Sequence, residues 1–262
     1  MDAIKRLTEI IEEIARGNYS NDIMALTMKN QPDYVRIIAE AMGLMMVKVE
    51  AREYRLEMMV EELRGLNRKI KENTVKTVSA MANALAARDA YTEGHAARVG
   101  DLSGRMARRM GLDEETVEFI RLGGILHDIG KIGFSDILFQ AHETRNSPEV
   151  VNKILKHPGM GAEILKDLDF LGPSQEYVHC HHERLDGKGY PRKLKAEAIP
   201  LGARILAVAD SYDAMTTDRP YQEGRSPEAA LDILKEYAGT RWDEVCISAL
   251  EDVLREKGTI HS

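Results

Sequence analysis

The sequence predicts an all-α fold: a long helical segment suited to pairing, followed by a domain of several short to medium helices. Two patterns and one absence predict it. Apolar residues recur at three- and four-residue spacing along most of the chain, which is one stripe of a helix. One stretch keeps a heptad repeat. No stretch alternates apolar and polar residues over a strand's length.

Composition narrows the class. With 262 residues the chain can build one sizeable core and an accessory segment. Lys and Arg total 36 against 43 Asp and Glu, a formal charge of -7. That balance argues against binding long nucleic acid, which needs many phosphate contacts. A small anionic ligand stays compatible, because a metal centre supplies local positive charge. The two cysteines, Cys180 and Cys246, form no CxxC pair, so neither a disulfide framework nor a thiolate zinc site is expected. No run of eighteen apolar residues exists, so no membrane-spanning helix is expected. The amphipathic N-terminus carries acids and does not read as a signal peptide. The expectation is a soluble cytoplasmic protein.

The first element is a helix in residues 1–33, with Ile4, Leu7, Ile11 and Ile14 as its stripe. Gly17, Asn18, Ser20 and Asn21 break it, and Pro32 closes the connector. The second runs from 34 to 73. With Val35 at heptad position a, the a positions are Val35, Met42, Val49, Leu56, Leu63 and Ile70, all apolar. The d positions are Ile38, Met45, Arg52, Met59 and Leu66. This pattern predicts a coiled coil over about 35–70 and a parallel homodimer. The alternative is a long helix packed on its own domain. Arg52 at a d position costs stability but could fix register. Residues 1–73 thus read as a dimerisation and relay segment, and 74–262 as the domain that carries chemistry.

In that domain Val99, Leu102, Met106 and Met110 mark a helix stopped at Gly111. Val117, Ile120, Gly124 and Leu126 mark the next, with Asp113 as N-cap before Glu114 and Glu115. Val151, Ile154 and Leu155 mark a third, and Leu201, Ile205 and Val208 lead into Asp210.

The eight histidines are His95, His127, His142, His157, His179, His181, His182 and His261. Most lie beside Gly, Asp or Pro near helix ends, and imidazole with carboxylate suits borderline divalent metals. His127-Asp128, in GGILHDIGKIG, could reach one ion or bridge two. Taken alone it could equally be a capping Asp beside a satisfied core His. His181-His182 point about 100° apart on a helix and could flank a two-metal centre, or form a solvated polar face. Asp210 follows an apolar run, so it needs a partner or a metal. A cap or a salt bridge would also satisfy it. His95 and His157 by themselves could be ordinary surface histidines.

Taken together, YTEGHAARV, ILHDIGKIG, KHPGMGAEIL, HHERLDGKGYP and AVADSYDAMTTDRPY resemble, in order, the motifs of the HD-GYP family of metallohydrolases. The resemblance covers about residues 74–245. It implies that His95, His127, Asp128, His157, His181, His182 and Asp210 are metal ligands. Asp128 would bridge, with His95, His127 and Asp210 on one metal and His157, His181 and His182 on the other. A third metal in some members uses a Glu where Tyr91 stands here, and Glu93 is at the wrong spacing, so two metals are expected. Iron is favoured and manganese is the second choice. The implied reaction is hydrolysis of cyclic di-GMP to pGpG or GMP by a hydroxide activated between two metals. Lys131 matches a lysine on the scissile phosphate, so Asp128 and Lys131 are the catalytic candidates. Arg219 matches an arginine that recognises the dinucleotide; pairing with Asp213 or Asp218 is its alternative. Gly189, Tyr190 and Pro191 form the GYP loop, where Tyr190 could stack on a base or line the pocket. Gln222 replaces a basic residue common after the RPY triplet. In Gly239-Thr240-Arg241-Trp242-Asp243, Trp242 reads as core. His142, His179 and His261 read as structural or solvated. The helix, connector and heptad helix resemble a HAMP relay module, through IARGNYS and IAEAM, which implies signal transmission and protein partners.

Other readings have different signatures. A hydrolase for 3′,3′-cyclic GMP-AMP would differ at a few pocket positions. A slow-turnover cyclic dinucleotide receptor would act through partner binding, although the intact ligand set argues for an enzyme. A general nucleotidase for linear nucleotides would not need the GYP loop and DRPY run.

Overall fold

The structure is a computed structural model that describes residues 2–17, 21–86, 94–134, 148–218 and 223–260. It divides into two compact units, Met1–Glu72 and Asn73–Ser262. Among the described residues the regular structure is helical, with one isolated bridge between Ala238 and Trp242.

In the first unit α1 (Asp2–Ala15) ends where the Gly17 N–H donates to the Ile14 carbonyl and Gly17 takes a φ of 86°. A left-handed residue there stops the helix, and Gly adopts it without a Cβ penalty. A 3₁₀ segment (Asn21–Thr27) leads to α2 (Asp33–Ala86), whose residues up to Glu72 belong to this unit. Leu7, Ile10, Ile23, Leu26, Val35, Ala39 and Met46 form a small core. The stripe of α1 is therefore rotated from the expected one. Ala3, Leu7, Ile10 and Ile14 face the core, while Ile4 and Ile11 are 50% and 39% exposed. Residues 3, 7, 10 and 14 share a face at 100° per residue, and 4 and 11 lie on its edge. The heptad row also divides. Val35 is buried in the small core of the first unit, whereas Leu56, Leu63 and Ile70 are each more than half exposed.

In the second unit α3 (His95–Arg109) and α4 (Glu114–Leu126) form a tight antiparallel pair. Gly111 has a φ of 78° at the turn, and the Asp113 carboxylate accepts from the Thr116 N–H, as a capping residue should. The two backbones nearly touch: a Cβ on Gly124 would lie 2.8 Å from the Gly100 Cα. A 3₁₀ turn follows (Ile129–Gly133), then α5 (Pro148–Ile154), α6 (His157–Leu165) and α7 (Ser174–Cys180). The longest later helix is α8 (Leu201–Thr216), followed by α9 (Pro227–Glu236) and α10 (Glu244–Glu256).

The main core joins α3, α4, α8, α9 and α10 through Val99, Met106, Val117, Ile120, Ile205, Leu206, Leu234 and Leu250. Trp242 belongs to it and donates its indole N–H to Ser211 Oγ. A second cluster seats Ala82, near the end of α2, against Leu122, Leu126, Leu165 and Val178. No described helix is long and apolar enough to cross a membrane.

Candidate metal centre

Helix ends build the site. His95 opens α3, His127 caps the C-terminus of α4, and Asp128 starts the next turn. His157 opens α6, His181 caps α7 with His182 beside it, and Asp210 projects from α8. His95, His127, His157 and His181 are buried, and the Asp210 and Asp128 side chains are largely so.

The structure brings all seven together. His95 Nε2 lies 3.3 Å and His127 Nε2 3.7 Å from Asp210 Oδ1. The two oxygens of Asp128 face opposite ways: Oδ2 is 3.4 Å from His127 Nε2, and Oδ1 is 3.3 Å from His157 Nε2. His181 and His182 complete the second side, with His181 Nε2 3.3 Å from His157 Nε2. Two sets of potential ligand atoms result: His95, His127 and Asp128, and His157, His181 and His182, with atoms in each set within 4.8 Å of one another. One further approach makes this possible. A Cβ on Gly130 would sit 2.0 Å from the His157 carbonyl oxygen, so only glycine lets the Asp128 turn reach α6.

Hydrogen bonding tests whether these groups suit a metal. His127, His157 and His181 each point Nδ1 at the carbonyl three residues earlier: Gly124 at 2.8 Å, Ile154 at 2.8 Å and Val178 at 2.6 Å. A carbonyl only accepts, so these Nδ1 atoms carry the proton. The matching Nε2 lone pairs then point into the cluster. His157 and His181 face each other at 3.3 Å, lone pair to lone pair, an arrangement a cation relieves and a hydrogen bond between neutral rings cannot. Burial opposes charging the second set, drawing His157 down to about 4, His182 to about 3 and His181 well below its ordinary value, whereas at His127 the charges of Asp128 and Asp210 outweigh burial and raise it. Neutral imidazole is the ligating form.

The carboxylates are the complementary half. Burial alone would raise Asp128 and Asp210. Lys131, His127 and His157 outweigh it at Asp128, and His95 and His127 do so at Asp210, so both lie below the usual carboxylate range. Burial also disfavours charged His95, but its bonds to Asp210 and Asp213 win and raise it to about 9.

Lys131 Nζ is 2.5 Å from Asp128 Oδ2, so this lysine is tied to the site and is not a free surface charge. The Tyr190 ring lies 4.8 Å from the His182 ring, tilted by 33°. Gly189 packs on the chain after the paired histidines, where a Cβ would fall 2.5 Å from the Glu183 Cα. Pro191 is exposed beside Tyr190. Arg219 lies outside the described residues, as do Tyr91, Glu93, His142, Gln222 and His261. Asp213, its alternative partner, is engaged by Arg98 and His95. His179 is half-buried and apart from the two ligand sets.

Sequence reasoning passed over Glu183 and gave Asp213 no place in the site. Glu183 is buried, and its two oxygens accept from the Arg192 N–H at 2.6 Å and the Leu194 N–H at 3.0 Å, pinning the chain after the GYP loop. Its adjacency to His182 was the available signal.

Comparison with known proteins agrees with this geometry. The HD domain family matches residues 79–245. The cyclic di-GMP phosphodiesterase response regulator RpfG of Xanthomonas campestris pv. campestris is 38% identical over 183 residues, 69% of this chain and 48% of that protein. A cyclic di-GMP phosphodiesterase of Thermotoga maritima is 38% identical over 171 residues, 64% of this chain and 46% of that protein. A 3'3'-cGAMP-specific phosphodiesterase of Vibrio cholerae is 32% identical over 177 residues, 68% of this chain and 38% of that protein. The chain thus spans about half the length, or less, of these relatives. A solved cyclic GMP-AMP specific phosphodiesterase of V. cholerae superposes with a TM-score of 0.57 at 18% identity, over 71% of this chain and 49% of that one, which shows a shared fold. The all-α fold, the seven converging side chains and the match across residues 79–245 place this chain in the HD domain family, in its HD-GYP branch.

Proposed function

We propose that this protein is a metal-dependent phosphodiesterase that hydrolyses cyclic di-GMP to pGpG or GMP. One observation carries the reading: Asp128 presents one oxygen to each of two buried histidine sets. His95, His127 and Asp210 would hold one divalent metal, His157, His181 and His182 another, and Asp128 both. Iron or manganese suits these donors. Such metals, when bound, activate water near neutral pH and offset charge on a phosphoryl group.

The chain's own residues do the rest. Backbone carbonyls hold three imidazoles with Nε2 inward, so the ligand set is organised before metal or substrate arrives. Lys131 brings a cation beside Asp128, where a scissile phosphate would lie. Tyr190, on the loop formed by Gly189 and Pro191, borders the His182 side and would contact a base or ribose. Arg219 would recognise the dinucleotide, since a planar guanidinium pairs with a guanine edge or a phosphate.

The exposed heptad row of α2 supports pairing with a second copy as a parallel coiled coil. Residues 1–73 would then form a HAMP-like relay that passes a signal from partner proteins to the domain at 74–262.

The test is chromatographic product analysis with cyclic di-GMP and, in parallel, 3′,3′-cyclic GMP-AMP. Fe(II) is supplied anaerobically and Mn(II) separately. pGpG or GMP should form, and the His127→Ala/Asp128→Ala protein should form none. Faster cleavage of the mixed dinucleotide would reassign the substrate. No turnover of either by metal-loaded protein would refute the enzyme.

A further inference from the structure

Three of the site's histidines share one local device and His95 does not. His127 and His181 cap helix C-termini, and His157 follows the end of α5. Each therefore finds a helix-end carbonyl three residues back. Helix C-termini leave such carbonyls without intrahelical partners. His95 begins a helix, where the orphan groups are N–H donors, and a histidine there needs an acceptor from elsewhere.

Asp213 supplies it. It sits three residues after Asp210 on α8, so the two carboxylates share a face. Asp213 Oδ2 is 2.7 Å from His95 Nδ1, while Asp210 Oδ1 is 3.3 Å from Nε2. One carboxylate thus faces each ring nitrogen. Asp213 is itself buried and held. Arg98, one turn along α3 from His95, donates Nε to Oδ1 at 2.7 Å and Nη2 to Oδ2 at 2.9 Å. The same Nη2 reaches Thr217 Oγ1 at 3.2 Å. The guanidinium fork leaves Asp213 little freedom to turn.

We propose that Asp213, locked by Arg98, is a positioning residue that fixes His95 with Nδ1–H outward and Nε2 toward Asp210, and so governs metal affinity on the His95 side alone. This inference rests on the two-metal reading above. Loss of an outer partner of a ligating histidine weakens metal binding on the order of 10- to 100-fold. His127, His157 and His181 take their orientation from backbone, which side-chain substitution leaves in place.

The test is equilibrium dialysis of the metal-stripped full chain against Mn(II), with bound metal measured by mass spectrometry. Asp213→Asn is introduced into two backgrounds. His157→Ala leaves the His95 side to be read, and His127→Ala leaves His157, His181 and His182 intact. Affinity should fall tenfold or more in the first background and stay within twofold in the second. Nitrogen NMR of the metal-stripped protein above pH 9, where the His95 ring is neutral, should show Nδ1–H at His95 in the parent and mixed tautomers in the variant, with His127, His157 and His181 unchanged, which general loosening would not leave so. Equal weakening in both backgrounds, or none in either, overturns the proposal. Should Asp213→Asn not fold, Arg98→Gln is read the same way, with a smaller selective loss expected. A parent chain that binds no Mn(II) or Fe(II) overturns the metal-centre reading itself, and this inference with it.

Discussion

Gly130→Ala is a one-methyl perturbation whose effect follows from a single distance. The new Cβ would lie 2.0 Å from the His157 carbonyl oxygen, 2.6 Å from the Gly161 nitrogen and 2.9 Å from the His157 carbonyl carbon. Ordinary contact begins at 3.4 Å, so the worst overlap is 1.4 Å and all three neighbours are backbone. The Asp128 turn and α6 must move apart, because neither has a side chain that can swing away. Overpacking of this kind costs about 1–3 kcal/mol. The larger consequence is geometric. Asp128 Oδ1 is 3.3 Å from His157 Nε2, and a shift of the size of the overlap removes Asp128 from one of its two partners. A displacement of about 1 Å at a reacting centre costs roughly 100-fold in rate. The neighbouring Gly133 is the control, since its added Cβ would meet only the Met160 Cε, at 2.4 Å, the far end of a flexible side chain. We expect Gly130→Ala to lose most bound metal and at least tenfold in turnover, with Gly133→Ala within twofold of the parent. The assays are metal content after gel filtration and chromatographic product formation. Full metal occupancy and near-parental turnover in Gly130→Ala would refute the close-approach argument.

Three further outcomes are expected. Leu56→Asp combined with Leu63→Asp should make the chain monomeric by sedimentation. It removes two apolar anchors per protomer at ~1.5 kcal/mol each, about 6 kcal/mol per dimer and some four decades in Kd; a dimer of unchanged affinity would place the interface elsewhere. Cys180 should resist iodoacetamide in the native protein at pH 8. It is fully buried, and its thiol is held up to about 12 by burial and Glu176, so ~10⁻⁴ is thiolate and labelling stays slow until pH nears that value; stoichiometric labelling within minutes would contradict this. Asp243→Ala should lower the unfolding midpoint by roughly 5–10 °C by calorimetry. It strips the cap from Val245 and Cys246 and leaves Arg204, bonded at 2.6 Å, without its partner, at about 2–4 kcal/mol. A shift below 2 °C would show the pair to be dispensable.

Local chemistry was legible in the sequence where it decides structure. The α3–α4 turn follows from Gly111 and from Asp113 accepting the Thr116 N–H, interactions that span a few residues. The seven ligand candidates were legible because their motifs carry residue type and order, and the structure brings all seven together. What escaped depends on neighbours remote in sequence. Two adjacent faces of α1 are both apolar, and only packing against Ile23, Leu26 and Val35 selects the one with Ile10 over the one with Ile11. Val35 fits a heptad seam, yet it packs into the small core with Leu7, Ile10, Ile23 and Leu26. Asp213 read only as an alternative partner of Arg219, because the histidine it holds, His95, is 118 residues away.

These cases also explain why histidines in this site gather at helix ends. A ligating imidazole needs an acceptor on one nitrogen so that the other presents its lone pair. The C-terminus of a helix offers unpaired carbonyls in fixed positions, and His127 and His181 take them without any help from a side chain. His95 sits at the opposite kind of end and depends on Asp213 and Arg98. The site therefore has three histidines oriented by backbone and one, His95, that two substitutable residues hold. A change that weakens metal binding without touching a ligand should arise first at Asp213 or Arg98, and the equivalent outer-shell change should be hard to find around His157 and His181.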